Sequence, residues 1–238
     1  PVTKSTLSMS CLLQNIGDPV TTRVPCLPKQ QPFEENAVSR SVDYYFAPQS
    51  PWTYLGHQRF CDIARASGAA VRVLPIDLGG KVFPISGGLP VGKRAPQRQA
   101  YRLVELQRYS EFLHAPLNLK PKYFPVNGDD AARLIIAVDL HDGTEAALKI
   151  TGAILAAVWA QERHIDDEKV LAELLAEQGL NPARLEQSHS QAAHERYDAN
   201  TQQAIDAGVF GAPSYVIDGE IFWGQDRLGF VERKLGRA

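Results

Sequence analysis

The sequence has few cysteines and no recognisable metal-binding pattern. Its three cysteines, Cys11, Cys26 and Cys61, are far apart and form no Cys-x-x-Cys pair. An odd number of scattered cysteines indicates neither a disulfide framework nor a zinc site. The six histidines also lack the spacing of metal ligands. We therefore predict no metal site, and we expect Cys61 to be a core residue.

Long apolar runs and excess charge are absent as well. No stretch approaches the roughly 20 apolar residues of a transmembrane helix, and none near the start has the apolar run of about seven residues that a secretory signal needs. The 25 basic and 27 acidic residues give a formal net charge of −2, so nothing electrostatic favours nucleic acid or an acidic membrane as a partner. These absences predict a cytoplasmic protein.

Residues 1–40 differ in composition from the rest of the chain. They are rich in Pro, Thr, Ser and Gln, and Pro25, Pro28 and Pro32 interrupt them. Neither helical periodicity nor strand alternation is present. We predict an N-terminal arm or tail outside the main fold.

A strand followed by a helix is predicted around Ser50. Residues 42–46 are aromatic and β-branched, which favours a strand, and helical periodicity begins after Pro51. Serine is a favoured N-cap and proline a favoured first helical residue. The simple interpretation of Ser50 is therefore a helix cap. The alternative is a functional hydroxyl beside the positive end of the helix dipole, where an anion is stabilised.

The pattern of the remaining chain predicts further strands of the sheet, separated in sequence by several helices. Residues 71–75 read as a second strand, parallel to the first. Apolar spacings of three and four predict helices at residues 97–113, 129–140, 144–161 and 167–178, with Trp159 in the core. Asp218-Gly219 between two β-rich runs is a strong hairpin signal, and a last helix follows it.

Three motifs carry a resemblance to a known family. They are FAPQSPWTYLG at residues 46–56, GVFGAP at 208–213 and WGQDRL at 223–228. Over about residues 41–236 the chain resembles the 2-hydroxychromene-2-carboxylate isomerases and kappa-class glutathione transferases, which are related to the DsbA oxidoreductases. The resemblance implies an α/β, thioredoxin-like fold with a helical insertion domain. Residues 41–94 and 206–238 would form the thioredoxin-like domain, and residues 95–205 the insertion.

The same resemblance implies a glutathione site. In that family a Ser-Pro pair replaces the first cysteine of the oxidoreductases, so Ser50 would stabilise the glutathione thiolate beside Pro51. Pro213 would be the cis-proline of the fold, and the backbone of Ala212 would pair with the tripeptide. Gln225 would help to hold the γ-glutamyl carboxylate, and Asp226 would accept from the ammonium. From the residues alone, the simple interpretation of Asp226 is a charge at a helix N-terminus.

The substrate cleft is predicted from less specific residues. By resemblance it would include Trp52, Lys81, Phe83, Lys93 and Asn127. The loop at residues 83–88 departs from the Lys-Thr-Gly-Asn pattern that is frequent in the family, and the two lysines are candidate replacements. They are equally interpreted as solvated loop lysines, and Asn127 as part of a helix-entry turn.

The resulting hypothesis is a glutathione-dependent isomerase or transferase. The resemblance implies a small electrophilic or aromatic substrate and a role in aromatic catabolism. A homodimer is a possible oligomeric state. A disulfide oxidoreductase is disfavoured because positions 50 and 53 are serine and threonine, whereas exchange needs thiols. A non-catalytic binding protein with the same fold is the third hypothesis, and the altered loop favours it.

Overall fold

The computed structural model describes residues 40–236. Within them a four-stranded sheet has the order β2-β1-β3-β4. The strands are β1 (Ser41–Phe46), β2 (Ala70–Pro75), β3 (Ser214–Ile217) and β4 (Glu220–Trp223). β1 and β2 are parallel, whereas β3 is antiparallel to both β1 and β4. The predicted strand–helix–strand unit and the predicted hairpin are both confirmed.

Nine α-helices accompany the sheet in the described part of the chain. They are α1 (Pro51–Ser67), α2 (Phe83–Ser86), α3 (Pro96–Phe112), α4 (Asp129–Asp142), α5 (Thr144–Trp159), α6 (Glu168–Glu177), α7 (Ala183–Ser188), α8 (Gln191–Asp206) and α9 (Leu228–Gly236). Helices α2 to α8 lie between β2 and β3 in the chain. The four helices predicted from periodicity are confirmed as α3, α4, α5 and α6.

Helix α1 makes the crossover between the two parallel strands, which a tight turn could not join. Gly68 ends the helix with φ 65°, a left-handed conformation that glycine adopts without a Cβ penalty. The buried face of α1 packs against α5 and α9. Cys61 on this face is 8% exposed, which confirms the predicted core position.

Helix α8 lies mostly within the predicted helical insertion but was not located from an apolar period, and residues 83–88 were expected to form a loop. The buried face of α8 includes Asn200 and Thr201, and the Thr201 hydroxyl accepts the backbone N–H of Asp77 at 3.0 Å. Polar residues on the inward face hide the apolar period. Helix α2 occupies most of that predicted loop, and a π-helical turn (Leu78–Val82) precedes it and a 3-10 turn (Val91–Lys93) follows it.

Aromatic rings join the sheet to α1. The Tyr44 ring of β1 stacks on Tyr215 of β3 at a centroid distance of 5.4 Å and meets Phe60 of α1 at 4.5 Å. Trp159, predicted in the core, is fully buried at the end of α5. The core therefore spans the sheet, α1 and the helices that follow β2.

The arm predicted for residues 1–40 lies, apart from Arg40, outside the described residues. The domain boundaries at residues 94–95 and 205–206 stay a prediction. Across residues 40–236, no helix is long and apolar enough to cross a membrane. Over the same range, no cluster of three His, Cys, Asp or Glu side chains is arranged to hold a metal ion.

Candidate active site

Ser50 is the N-cap of α1, directly after the loop that leaves β1. Its backbone is extended (φ −80°, ψ 125°), and its hydroxyl oxygen accepts the N–H of Thr53 at 3.3 Å. Pro51 occupies the first helical position, where its missing N–H leaves no donor unpaired. The capping role is therefore realised. It uses one acceptor lone pair of the hydroxyl, and the O–H remains available as a donor.

The first turn of α1 offers an electropositive surface. The turn contains no acidic residue, so the partial positive charge of the helix N-terminus is not neutralised locally. Ser50 is 9% exposed. A hydroxyl donor at a helix N-terminus with little water around it is suited to stabilise an anion such as a thiolate.

Two polar atoms beside Ser50 lack a protein partner. Gln49 Oε1 and Thr53 Oγ1 are buried without a hydrogen bond in the described part of the chain. The Gln49 amide packs directly over Gly128, so closely that a Cβ there would collide with it. Buried polar groups in native proteins are usually satisfied. These atoms therefore mark the entrance of α1 as a place where a polar ligand would complete the bonding.

The Ala212-Pro213 turn lies at the same end of the sheet as Ser50. The bond between these two residues is cis, as predicted. Ser214, the first residue of β3, pairs with Tyr45 near the end of β1, so the residues just before β3 extend toward the loop that leads from β1 to α1. The topology thus brings Ser50 and Pro213 to one edge of the sheet.

Gln225 is held against the middle of α1. It is 1% exposed, and its side-chain oxygen accepts from Arg59 Nη1 at 3.1 Å. Gly56 permits this approach, because a Cβ at that position would lie 2.8 Å from the Cβ of Gln225. The side-chain oxygen is thus occupied, and the amide N–H groups remain for the predicted contact with a carboxylate.

Asp226 lies on the surface of a neighbouring cavity. Its side chain is 39% exposed and makes a loose ion pair with Arg227 at 3.5 Å. A cavity of about 410 Å³ opens beside it, between Asp226 and residues of α9 that include Phe230 and Arg233. The carboxylate is therefore accessible to a cationic group.

Tyr109 of α3 connects Asp226 with the start of α1. Burial and then the negative charge of Asp226 raise the pKa of Tyr109. Its ring meets the edge of Trp52 with a centroid distance of 6.1 Å. Helix α3, the first turn of α1 and the turn before α9 therefore lie close together around Tyr109. Tyr109 was not predicted from the sequence.

The other residues predicted for the substrate cleft, apart from Trp52, make local contacts or are exposed to solvent. Lys81 pairs with Asp198 at 2.7 Å, and Asn127 accepts the N–H of Asp129 at 3.0 Å as α4 begins. The ring of Phe83 packs over Gly88. Lys93 lies exposed in its 3-10 turn. The solvated interpretation of the lysines and the helix-entry interpretation of Asn127 match these contacts, and a role in substrate binding stays a prediction.

Comparisons with known proteins identify the family. The DSBA-like thioredoxin domain family matches residues 41–236. A curated 2-hydroxychromene-2-carboxylate isomerase from Pseudomonas putida is 33% identical over 82% of this chain and 94% of its own length. One from Sphingobium xenophagum is 28% identical over 83% of this chain and 99% of its length.

Solved structures agree with this assignment. A structure of 2-hydroxychromene-2-carboxylate isomerase superposes with a TM-score of 0.69 at 32% identity, covering 83% of this chain and 95% of that one. The cytosolic disulfide reductase DsbM from Pseudomonas aeruginosa, at 21% identity and a TM-score of 0.60 over 83% of this chain and all of its own, shares the fold alone. The predicted thioredoxin-like architecture is thus confirmed. This chain belongs to the DsbA-like thioredoxin family and, within it, to the family of the 2-hydroxychromene-2-carboxylate isomerases.

Proposed function

We propose that this protein is a glutathione-dependent isomerase of 2-hydroxychromene-2-carboxylate or a similar conjugated aromatic acid. The names of its relatives support an isomerase. One observation carries the proposed dependence on glutathione: Ser50 places a buried hydroxyl at the N-terminus of α1, and the first turn of this helix contains no acidic residue. This group is suited to a thiolate ligand.

The residues around Ser50 fit the tripeptide. When bound, glutathione would supply a thiolate that adds to the conjugated double bond of the ring-opened substrate, leaves a single bond free to rotate, and departs again as the double bond re-forms. Ser50 would donate its O–H to the sulfur, and the amides of the first turn would add their positive potential. Both effects favour the thiolate over the thiol, so they lower the thiol pKa and provide a nucleophile at neutral pH.

The far end of glutathione would be held by the turn before α9. Asp226 is accessible and only loosely paired, so its carboxylate would accept from the γ-glutamyl ammonium. The N–H groups of the Gln225 amide would donate to the neighbouring carboxylate. The backbone of Ala212 would pair with the cysteinyl residue as an added strand does. Unpartnered Gln49 and Thr53 atoms beside Ser50 support a ligand at this position.

A disulfide oxidoreductase would need cysteines at positions 50 and 53, and this chain has Ser50 and Thr53 there. Cys61 is buried, and this burial raises the pKa of its thiol to about 11, so it is a poor nucleophile at neutral pH. A non-catalytic binding protein remains the second candidate, since the loop around Phe83 departs from the family pattern.

Turnover separates these functions. The dialysed protein is mixed with 2-hydroxychromene-2-carboxylate alone, with added glutathione, and with S-methylglutathione, which lacks a free thiol. We expect rapid approach to equilibrium with glutathione and only the background rate in the other two mixtures. An equal rate in all three would contradict the glutathione dependence. Glutathione binding without any turnover would favour the binding protein.

A further inference from the structure

Arg102 of α3 is a buried cation without an anionic partner among residues 40–236. Its side chain is 8% exposed, and its Nη2 atom is buried with no hydrogen bond in the described part of the chain. Desolvation, together with the nearby positive charge of Arg94, lowers its pKa to about 10. It therefore remains charged at neutral pH, and the neighbouring charge repels it.

Burying an unpaired charge is costly, and the surroundings of Arg102 offset this only in part. The guanidinium carbon lies 5.4 Å from the ring centre of Phe124 and 5.7 Å from that of Trp159. Cation–π contacts of this kind are weaker than a hydrogen-bonded ion pair. The guanidinium therefore retains an unused capacity to bind an anion.

A second donor without an acceptor is present at the same place. The indole N–H of Trp159 is also buried and unpartnered among the described residues. The rings of Phe124 and Trp159 lie 4.8 Å apart, centre to centre. Two unsatisfied donors and two aromatic surfaces thus occur together, and the acceptor they lack is an anion with an adjoining apolar body.

Arg102 is connected to the first turn of α1 by two short paths. Two helical turns along α3 lead to Tyr109, whose ring contacts Trp52. From Phe124, four residues lead to Gly128, which contacts the side chain of Gln49. The helix that carries Arg102 and the segment that carries Phe124 therefore both reach the start of α1, through Tyr109 and Gly128.

We propose that Arg102 binds the carboxylate of the substrate while the Phe124 ring contacts its conjugated part. This inference rests on the proposed function for the identity of the substrate. It assigns the specificity for a carboxylic acid to a charged hydrogen bond from a residue other than Ser50.

The test compares an acid with its amide. Calorimetry measures the affinity of the protein for chromone-2-carboxylate and for chromone-2-carboxamide, which has the same shape without the charge. The parent should prefer the acid by about ten- to hundredfold, the range of a charge-assisted hydrogen bond. Arg102→Met should abolish most of this preference by weakening the acid alone. Binding is measured without turnover, so the result stands whether or not the protein isomerises the chromene.

Arg98→Met is the matched control. Arg98 is exposed on the same helix, and its loss changes the net charge equally, so the preference should stay at the parent value. If Arg102→Met does not fold, Arg102→Lys keeps the charge and loses the planar fork, and it should still reduce the preference. A parent without preference for the acid, or Arg102 variants that lose thermal stability but keep the preference, would overturn the proposal.

Discussion

The middle of α1 and the turn before α9 meet at Gly56 and Gln225. A Cβ added to Gly56 would lie 2.8 Å from the Cβ of Gln225 and 3.2 Å from the hydroxyl of Tyr215. Glycine is required here by close approach rather than by backbone conformation. The contact fixes the distance between the helix that begins at Ser50 and the turn that carries Asp226.

Gly56→Ala should therefore destabilise the protein. Alanine favours a helix by roughly 1 kcal/mol, but overpacking a core contact typically costs about 1–3 kcal/mol, and the Cβ–Cβ approach of 2.8 Å places Gly56 in the upper part of that range. Chemical unfolding should show a net loss. Gly229→Ala is the control, since its Cβ would meet nothing within 4 Å in α9. Equal or higher stability of the Gly56 variant would show that this contact is not tight.

Buried His57 should make the protein sensitive to acid. Tyr44 donates to its Nδ1 at 3.1 Å, and its Nε2 donates to the carbonyl of Leu148 at 2.9 Å. Burial lowers the pKa of His57 to about 4, against about 6.5 in an unfolded chain. The unfolded state therefore binds the proton first, so the free energy of unfolding falls as pH drops from 6.5 to 4. Over this pH range, protonation of His57 in the unfolded chain should lower the free energy of unfolding by about 3 kcal/mol.

Urea unfolding at pH 7 and pH 4.5 measures this dependence. His57→Gln removes the titrating ring, and it should flatten the loss of stability between the two pH values even if it lowers stability overall. His141→Gln, at an exposed position, should keep the parent dependence. A parent-like slope in the His57 variant would show that other groups cause the acid sensitivity.

Asp226 should contribute to glutathione affinity through its charge. Asp226→Asn removes the negative charge at nearly constant shape, so glutathione should bind more weakly by about 1.5 kcal/mol, the lower end for a charged hydrogen bond at this half-exposed position. Calorimetry measures the change. Asp218→Asn is a matched control in the β3–β4 turn. Unchanged binding by the Asp226 variant would remove this residue from the site.

Local signals made much of the fold predictable. The Ser-Pro pair, the Asp-Gly turn and the apolar periods of α3 to α6 each act over a few residues. Helix α8 was not predictable in this way, because Asn200 and Thr201 on its buried face bond to residues of the β2 region far away in the chain. Burial of polar groups depends on partners that a sequence pattern does not show.

The residues of the candidate site also divide into those that were predictable from sequence and those that were not. Ser50 and Pro213 belong to compact motifs and could be named from sequence. The positions of Tyr109 and Arg102 could not, because a helical arginine is usually on the solvated face and a tyrosine is found on either face. Their inward positions follow from the packing of α3 on the segment before α4 and on α1.

Ser50→Ala should cost the protein one helix cap. The lost bond to Thr53 corresponds to about 1 kcal/mol of stability. Ser190 caps α8 with the same geometry, since its hydroxyl accepts the N–H of Ala193 at 3.3 Å. Thermal unfolding should therefore give similar losses for Ser50→Ala and Ser190→Ala. A much larger loss for the Ser50 variant would indicate that the hydroxyl supports more of the fold than its cap.

Ultraviolet titration of the thiol in the glutathione complex tests the role of Ser50 most directly. A free cysteine thiol has a pKa of about 8.5, and we expect the parent complex to lower the pKa of bound glutathione by at least about one unit through the hydroxyl and the helix N-terminus. Ser50→Ala should raise the pKa toward the free value, whereas Ser190→Ala should leave it unchanged. The same thiol pKa in the Ser50→Ala complex and in the parent would contradict the assignment of Ser50 as the group that stabilises the thiolate.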